Sequence, residues 1–254
     1  MKPKQIILRY IMIVLVTVIG YSAYQLLTIH HNYAQEVEMH SRLLQYRPTL
    51  QTSMLQLSTS STAHIEIDLN QNLVDLQASY PDVVGWLRVP NTQIDHPFAQ
   101  SNDNDFYLHT DLGQNRSQAG ALFMDYRNNK DFSDFNTIIF GHNMRNGSMF
   151  GTLQNFNNQN FFDANKTGAI FLSNKIYEIQ FMAFAVIAPN DAMIYNPNII
   201  TEADKTNFLD YVKNTARYYR DIDTTINDRI ITLSTCNYEF DNARMVLIGR
   251  LVEN

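Results

Sequence analysis

The sequence holds a single cysteine, Cys236, in 254 residues. A lone cysteine excludes an intramolecular disulfide framework and a cysteine-based structural zinc site. Glycine (9) and proline (7) are scarce, which excludes collagen-like and proline-rich disordered chains. Positive charge is scarce as well: 19 Lys and Arg stand against 25 Asp and Glu. Three of those 19 (Lys2, Lys4 and Arg9) precede an apolar N-terminal run, so the rest of the chain carries 16 basic against 25 acidic residues. That balance argues against nucleic-acid partners and polyanion binding in general. Internal repeats are absent. What is present is 45% hydrophobic residues, enough for one good-sized core but not two comfortable domains once the N-terminus is set aside.

Residues 10–29 (YIMIVLVTVIGYSAYQLLTI) contain no charge. As a helix rising about 1.5 Å per residue they cross a ~30 Å hydrocarbon core. The first acidic residue is Glu36, so the basic N-terminus stays cytoplasmic and the rest lies outside. A cleaved signal peptide is the competing reading, but it needs a shorter apolar core and a small-x-small site, and Ala23 has Tyr21 two places before it. The expected layout is a cytoplasmic tail (1–9), a transmembrane anchor (10–29), an extracellular stalk (30–62) and a folded domain (63–254). The Ser/Thr-rich run 58–62 marks the last boundary. Leu43, Leu44, Leu50, Met54, Leu55 and Leu57 line a helical face that Pro48 interrupts; a stalk is preferred there to a partner-binding helix.

Beyond residue 63 the apolar runs are short and β-rich. Residues 136–140, 169–172, 177–187, 229–233 and 245–252 read as strands, and 87–89 with Ile94 as a further pair about the turn 90–92. Tyr177, Ile179, Phe181 and Ala183 alternate with Glu178, Gln180 and Met182, the pattern of a strand with one buried face. Helices are expected over 202–219 and 70–78, and the Asn-rich stretch 155–165 reads as a loop. Many strands and few helices predict a closed or nearly closed β-barrel with helical insertions.

An exported lone cysteine is an intermolecular disulfide partner, an inert buried thiol or a reactive nucleophile. Cys236 follows the apolar strand 230–233 and a polar Ser-Thr pair, which holds it at a rim. A thiol that titrates near ~8.5 needs a neighbour to become a nucleophile. Of seven histidines, His30, His31 and His40 precede the domain, and His64, His96 and His109 sit among turn-like residues. His142, in FGHNM, follows the strand NTIIF and also sits at a strand end. Arg244 begins the strand after Cys236, where an antiparallel return makes the two neighbours. Its planar donors suit an oxyanion, though an ordinary surface arginine also fits that position. DNDFYLHTD (103–111) lacks an EF-hand pattern, so no metal site is read, and the chemistry requires no cofactor.

Five ordered blocks carry a resemblance. TLSTC (232–236) followed by Arg244 resembles the signature of sortases. FGHNMRNGSMFGTL (140–153), DVVGWLRVPNTQIDHPFAQ (82–100), DNDFYL (103–108) and GALFMDYRN (120–128) resemble the class B members. The resemblance spans roughly 63–252 and implies a mainly β fold, an eight-stranded sortase-type barrel with helical insertions. It further implies Cys236 as nucleophile, His142 as general acid/base, Arg244 as oxyanion and backbone ligand, and Ser234 and Asn104 as substrate-groove residues. Phe140, Asn91 and His96 depart from the class, which often has Tyr, Gly and Tyr there. The implied partners are secreted proteins with a C-terminal sorting signal, and an amine acceptor that is cell-wall peptide precursor or a pilin Lys. A papain-like protease is disfavoured, because it places Cys before His and on a helix. A membrane-tethered binding protein with an inert Cys236 is the reading from another class.

Overall fold

A computed structural model describes residues 3–48, 71–236 and 243–253. Two compact units make up the chain, Met1–Arg42 and Leu43–Asn254. The first unit lies in helix α1, Pro3–Leu44, which is long and apolar enough to cross a membrane. Its apolar residues, among them Ile13, Val16, Ile19 and Leu26, are exposed. The helix runs unbroken past residue 29. The expected boundary at 58–62, the domain start at 63 and the helical face from Leu50 to Leu57 lie outside the described residues.

The second unit begins earlier than residue 63. Leu43 is buried, Arg47 pairs with Asp95, and Arg88 Nη2 donates to the Pro48 carbonyl at 2.9 Å. Helix α2 (Gln71–Ser79) adds a bond from Asn72 Nδ2 to the Arg47 carbonyl at 3.1 Å. Strands β1 (Val83–Arg88) and β2 (Asp95–Ala99) pair antiparallel about the expected turn. Asn91 holds φ 60° in that turn. This left-handed backbone suits Gly or Asn, which accounts for Asn91 standing where the class often has Gly.

Helix α3 (Phe106–His109), β3 (Leu122–Met124) and β4 (Asn136–His142) follow. Residues 155–165 correct the loop expectation: a 3-10 helix, Gly151–Asn157, leads into α4, Gln159–Ala164. Phe156 and Phe162 are buried there, so aromatic burial overrides the loop-like asparagines. Asn158 instead caps α4, its side chain accepting from the Phe161 N–H.

Strands β5 (Thr167–Phe171) and β6 (Ile176–Ile187) precede α5 (Glu202–Thr215). A two-residue strand β7 (Tyr218–Tyr219) takes the end of the expected helix 202–219. β8 (Arg229–Cys236) and β9 (Arg244–Glu253) complete the chain. The strand order is β5-β1-β2-β3-β4-β8-β9-β6-β7, and β5 also pairs with β6. Eight strands thereby close into a barrel, with β7 added on β6. The barrel is mixed, because β2–β3 and β4–β8 are parallel.

Two apolar layers hold it. Phe98, Phe132, Ile139, Tyr177, Phe181, Leu233 and Leu247 form one cluster, and Ile230, Val246 and Ile248 join Phe208 and Val212 of α5 in a second. The alternation expected in β6 holds to Phe181, then stops. Met182 is buried too, beneath the second cluster, where a bulge shifts the register between Phe181 and Ala183. α5 is started by a capping box between Thr201 and Asp204.

Candidate active site

Parallel strands bring residues distant in sequence to one end of a sheet. The β4–β8 ladder runs from Asn136↔Ile230 to His142↔Cys236, so the two strands end in register on the predicted acid/base and nucleophile positions. β8 and β9 pair antiparallel up to Ser234↔Val246. The ladder stops there, and beyond it lie Thr235 and Cys236 at the end of β8 and Arg244 and Met245 at the start of β9. Arg244 is half-buried, and its Nη1 donates to the Thr235 carbonyl at 3.3 Å. Thr235 Oγ1 accepts from the Met245 N–H at 3.1 Å, tying the two strand ends together.

His142 Nε2 lies 2.7 Å from the Leu108 carbonyl oxygen, which comes from α3. A carbonyl oxygen only accepts, so Nε2 carries the hydrogen. In the neutral ring the lone pair then sits on Nδ1.

Ser234 is fully buried in β8, and its Oγ shares a hydrogen bond of 2.9 Å with the Tyr195 hydroxyl. Asn104 precedes α3. Its Nδ2 donates to Asp125 Oδ2 at 3.0 Å, and its Oδ1 accepts from the Tyr126 N–H at 3.0 Å. Asp125 has no solvent exposure and receives Arg127 through Nε at 2.8 Å and Nη2 at 2.7 Å. Burial pushes the Asp125 carboxyl up, but the hydrogen bonds and charge of Arg127 together with Asn104 outweigh it and hold the group below the ordinary carboxylate range. Arg127 Nη2 also donates to the Tyr195 carbonyl at 3.0 Å. A polar chain therefore runs Asn104–Asp125–Arg127–Tyr195–Ser234, from the segment before α3 to the strand of Cys236.

The other departures from the class pattern sit differently. The Phe140 ring lies 5.4 Å from that of Phe123 and 5.9 Å from that of Tyr195, so it belongs to this neighbourhood. His96 is buried in β2. His109 is exposed, beside Asp105. Among the described residues no group of three or more His, Cys, Asp and Glu is arranged to hold a metal ion.

Three parts of this arrangement escape a reading of the sequence. Asp125 and Arg127 lie within a block that carried the resemblance, yet only the fold gives them a role. Tyr195 stands outside every block. The Leu108 carbonyl is backbone and leaves no signal in residue type.

Comparison with known proteins agrees with this geometry. The Sortase domain family matches residues 87–252. Sortase B of Listeria monocytogenes is 40% identical over 199 residues, covering 76% of this chain and 79% of that one. The Clostridium perfringens sortase B structure is 35% identical with a TM-score of 0.67, over 70% of this chain and 98% of that one. The B. anthracis sortase B structure with AAEK1 is 25% identical with a TM-score of 0.74, over 89% and 100%. Barrel, site register and sequence converge on one assignment: the chain belongs to the sortase family, and within it to the class B cysteine transpeptidases.

Proposed function

We propose that this transpeptidase is held in the cell membrane by α1 and works outside the cell on secreted proteins that carry a C-terminal sorting signal. The observation that carries the chemistry is the parallel register pairing His142 with Cys236. The Cys236 thiolate attacks a backbone carbonyl of the sorting motif, and the oxyanion so formed is met by Arg244. Collapse breaks the peptide C–N bond, leaving a thioester. His142, carrying on Nδ1 the proton it has taken from the Cys236 thiol, gives that proton to the departing amine. An incoming amine then attacks the thioester, His142 takes back a proton, and the thiolate leaves as a new amide forms. The acceptor is the amine of a cell-wall peptide precursor. Ser234 and Asn104 shape the groove, Asn104 through the Asp125 network it closes.

An anchor with its N-terminus in the cytoplasm is supported by Lys2, Lys4 and Arg9 before the apolar stretch of α1. The proposed layout is tail 1–9, anchor 10–29, stalk 30–62 and catalytic domain 63–254, with residues 43–48 of the stalk packed into the domain unit.

Purified full-length protein, given a peptide library and a wall-peptide amine, tests the reading. Cleavage at one motif with amide formation is expected, and both are lost in Cys236→Ala. Transfer to a pilin Lys in preference to the wall amine would assign pilus assembly. Slow labelling of Cys236 at neutral pH, with no cleavage, would leave a tethered binding protein.

A further inference from the structure

The Leu108 carbonyl can fix the His142 ring only if α3 itself is fixed, and α3 is four residues long. A helix this short is not stable alone. Its backbone is tied to the following segment by the Ala121 N–H, which donates to the Tyr107 carbonyl at 2.9 Å. Gly120, at φ 60°, backs it closely: a Cβ there would stand 2.4 Å from the Tyr107 oxygen and 2.9 Å from the Leu108 oxygen. These contacts hold α3 from one side. A side-chain tie comes from the strand that begins the barrel. Tyr107, 1% exposed, donates its hydroxyl to Asp82 Oδ2 at 2.7 Å, immediately before β1. Asp82 lines a cleft of about 180 Å³ with Tyr107, Leu112 and Gln114.

We propose that Tyr107 is a positioning residue for the reaction: its bond to Asp82 pins α3 to the start of β1, so that the adjacent Leu108 carbonyl keeps the hydrogen of the neutral His142 ring on Nε2. Tyr107 points to the barrel and Leu108 offers its carbonyl to the histidine, so one rigid turn joins the two. Burial, then the Asp82 hydrogen bond and charge, raise the Tyr107 phenol far above its ordinary value, so it remains a donor throughout the working range. The bond links Asp82 and Tyr107 across 25 positions, and both lie in blocks shared with the family. The proposal rests on reading His142 as the acid/base.

The test uses the full-length chain in detergent micelles with ¹⁵N-labelled histidine. The His142 signals are identified by their loss in His142→Ala. Tyr107→Phe removes the hydroxyl and keeps the ring. Asp82→Asn keeps an oxygen that accepts from the phenol. Tyr177→Phe removes a hydroxyl that accepts from Arg229 at 3.0 Å, a bond with no part in α3. Kinetics use a fluorogenic peptide selected by library profiling on the wild type. Tyr107→Phe is expected to lower kcat about 3- to 10-fold with KM unchanged, as a slight misplacement of a proton-transfer group does. Its His142 ¹⁵N shifts should move from the Nε2–H pattern toward an average of both tautomers. Asp82→Asn should retain the wild-type tautomer and kcat within about twofold, since its acceptor survives.

Unchanged ¹⁵N shifts in Tyr107→Phe overturn the proposal. So does a loss confined to KM, which would make α3 a wall of the groove. An equal fall in kcat for Tyr177→Phe, matched by equal falls in Tm, would reduce the effect to general stability and overturn it too. Absence of cysteine-dependent cleavage in the wild type would sink the catalytic reading instead, and the tautomer measurement would still judge whether Tyr107 fixes the ring.

Discussion

Asp95 and Asp125 each gather several donors, yet their partners lead to different places. Asp95, at the start of β2, accepts from Trp86 Nε1 at 2.7 Å and Arg88 Nε at 3.2 Å and pairs with Arg47. Every one of those donors belongs to β1 or to the segment that enters the domain. Asp125, just after β3, accepts from Arg127 and Asn104, and Arg127 continues to Tyr195 and thence to Ser234. Exposure differs as well: the Asp95 side chain is 19% exposed and that of Asp125 is 0%. One hub closes the fold, and the other braces β8, the strand that ends on the proposed nucleophile Cys236. The same carboxylate chemistry serves two ends, and what separates them is where the last hydrogen bond lands.

The contrast extends to β9, where the largest effect is expected. Arg244 bonds at the strand end beside Cys236, whereas Arg250 Nη2 donates to Gln180 Oε1 at 2.6 Å on β6. Lysine keeps the charge and loses the planar fork. Arg244→Lys should lower kcat/KM about 10²–10³-fold, the range typical of a lost oxyanion donor, with little change in Tm. Arg250→Lys should leave kcat/KM intact. Near-normal transfer by Arg244→Lys would refute a role for the planar fork. An equal loss in both variants, with lower stability in both, would mean strand packing had been mistaken for catalysis.

The next effect belongs to Asp125. Asp125→Ala strands the Arg127 guanidinium, at a cost of about 3 kcal/mol by denaturant unfolding. The low end of the usual range applies because the Arg127 side chain is 36% exposed. Activity should fall as well, since Tyr195 loses its brace. The folded carboxyl is held below the ordinary value. Its stabilisation is therefore complete above the unfolded pKa of about 3.9 and is lost as pH falls through the lower folded value. Asp125→Asn should lack that acid-side decline. If stability of Asp125→Asn and wild type falls in parallel below pH 4, the ion pair is not what stabilises this corner.

These contrasts mark how far the sequence is legible. Strand periodicity and punctuation locate β4, β6, β8 and β9, because each is an apolar run ending in polar residues. The motif TLSTC with Arg244 and the histidine at the end of β4 mark the proposed reacting groups, and the fold sets His142 and Cys236 in register. What escapes is whatever depends on long-range closure. The parallel pairing of β4 with β8 joins positions 94 apart in the chain, and no local pattern encodes it. Residues 155–165 look like a loop because asparagine dominates, and only burial of Phe156 and Phe162 makes them helical. Met182 reads as an outward residue until α5 covers that face. The bracing roles of Asp125, Arg127 and Tyr195 require side chains from three segments to meet, and the Leu108 carbonyl is invisible to any reading of side-chain chemistry.

The smallest effect should come from Asp95, and it decides whether the two hubs truly differ. Asp95→Asn keeps the oxygen that accepts from buried Trp86 and removes the charge facing Arg88 and Arg47. The Arg47 side chain is 50% exposed and that of Arg88 is 22% exposed, so solvent screens much of what is lost. A cost of about 1 kcal/mol in unfolding free energy is expected, with kcat and KM unchanged. Arg47→Ala in the same background should add little, because its partner charge has already gone; a double-mutant cycle measures that coupling directly. The segment 43–48 would then be held by Leu43, by the Pro48 carbonyl on Arg88 and by Asn72 on the Arg47 carbonyl. A clear fall in kcat for Asp95→Asn would break the comparison, because a hub whose donors all lie in β1 and the incoming segment would then be reaching the site on β4 and β8.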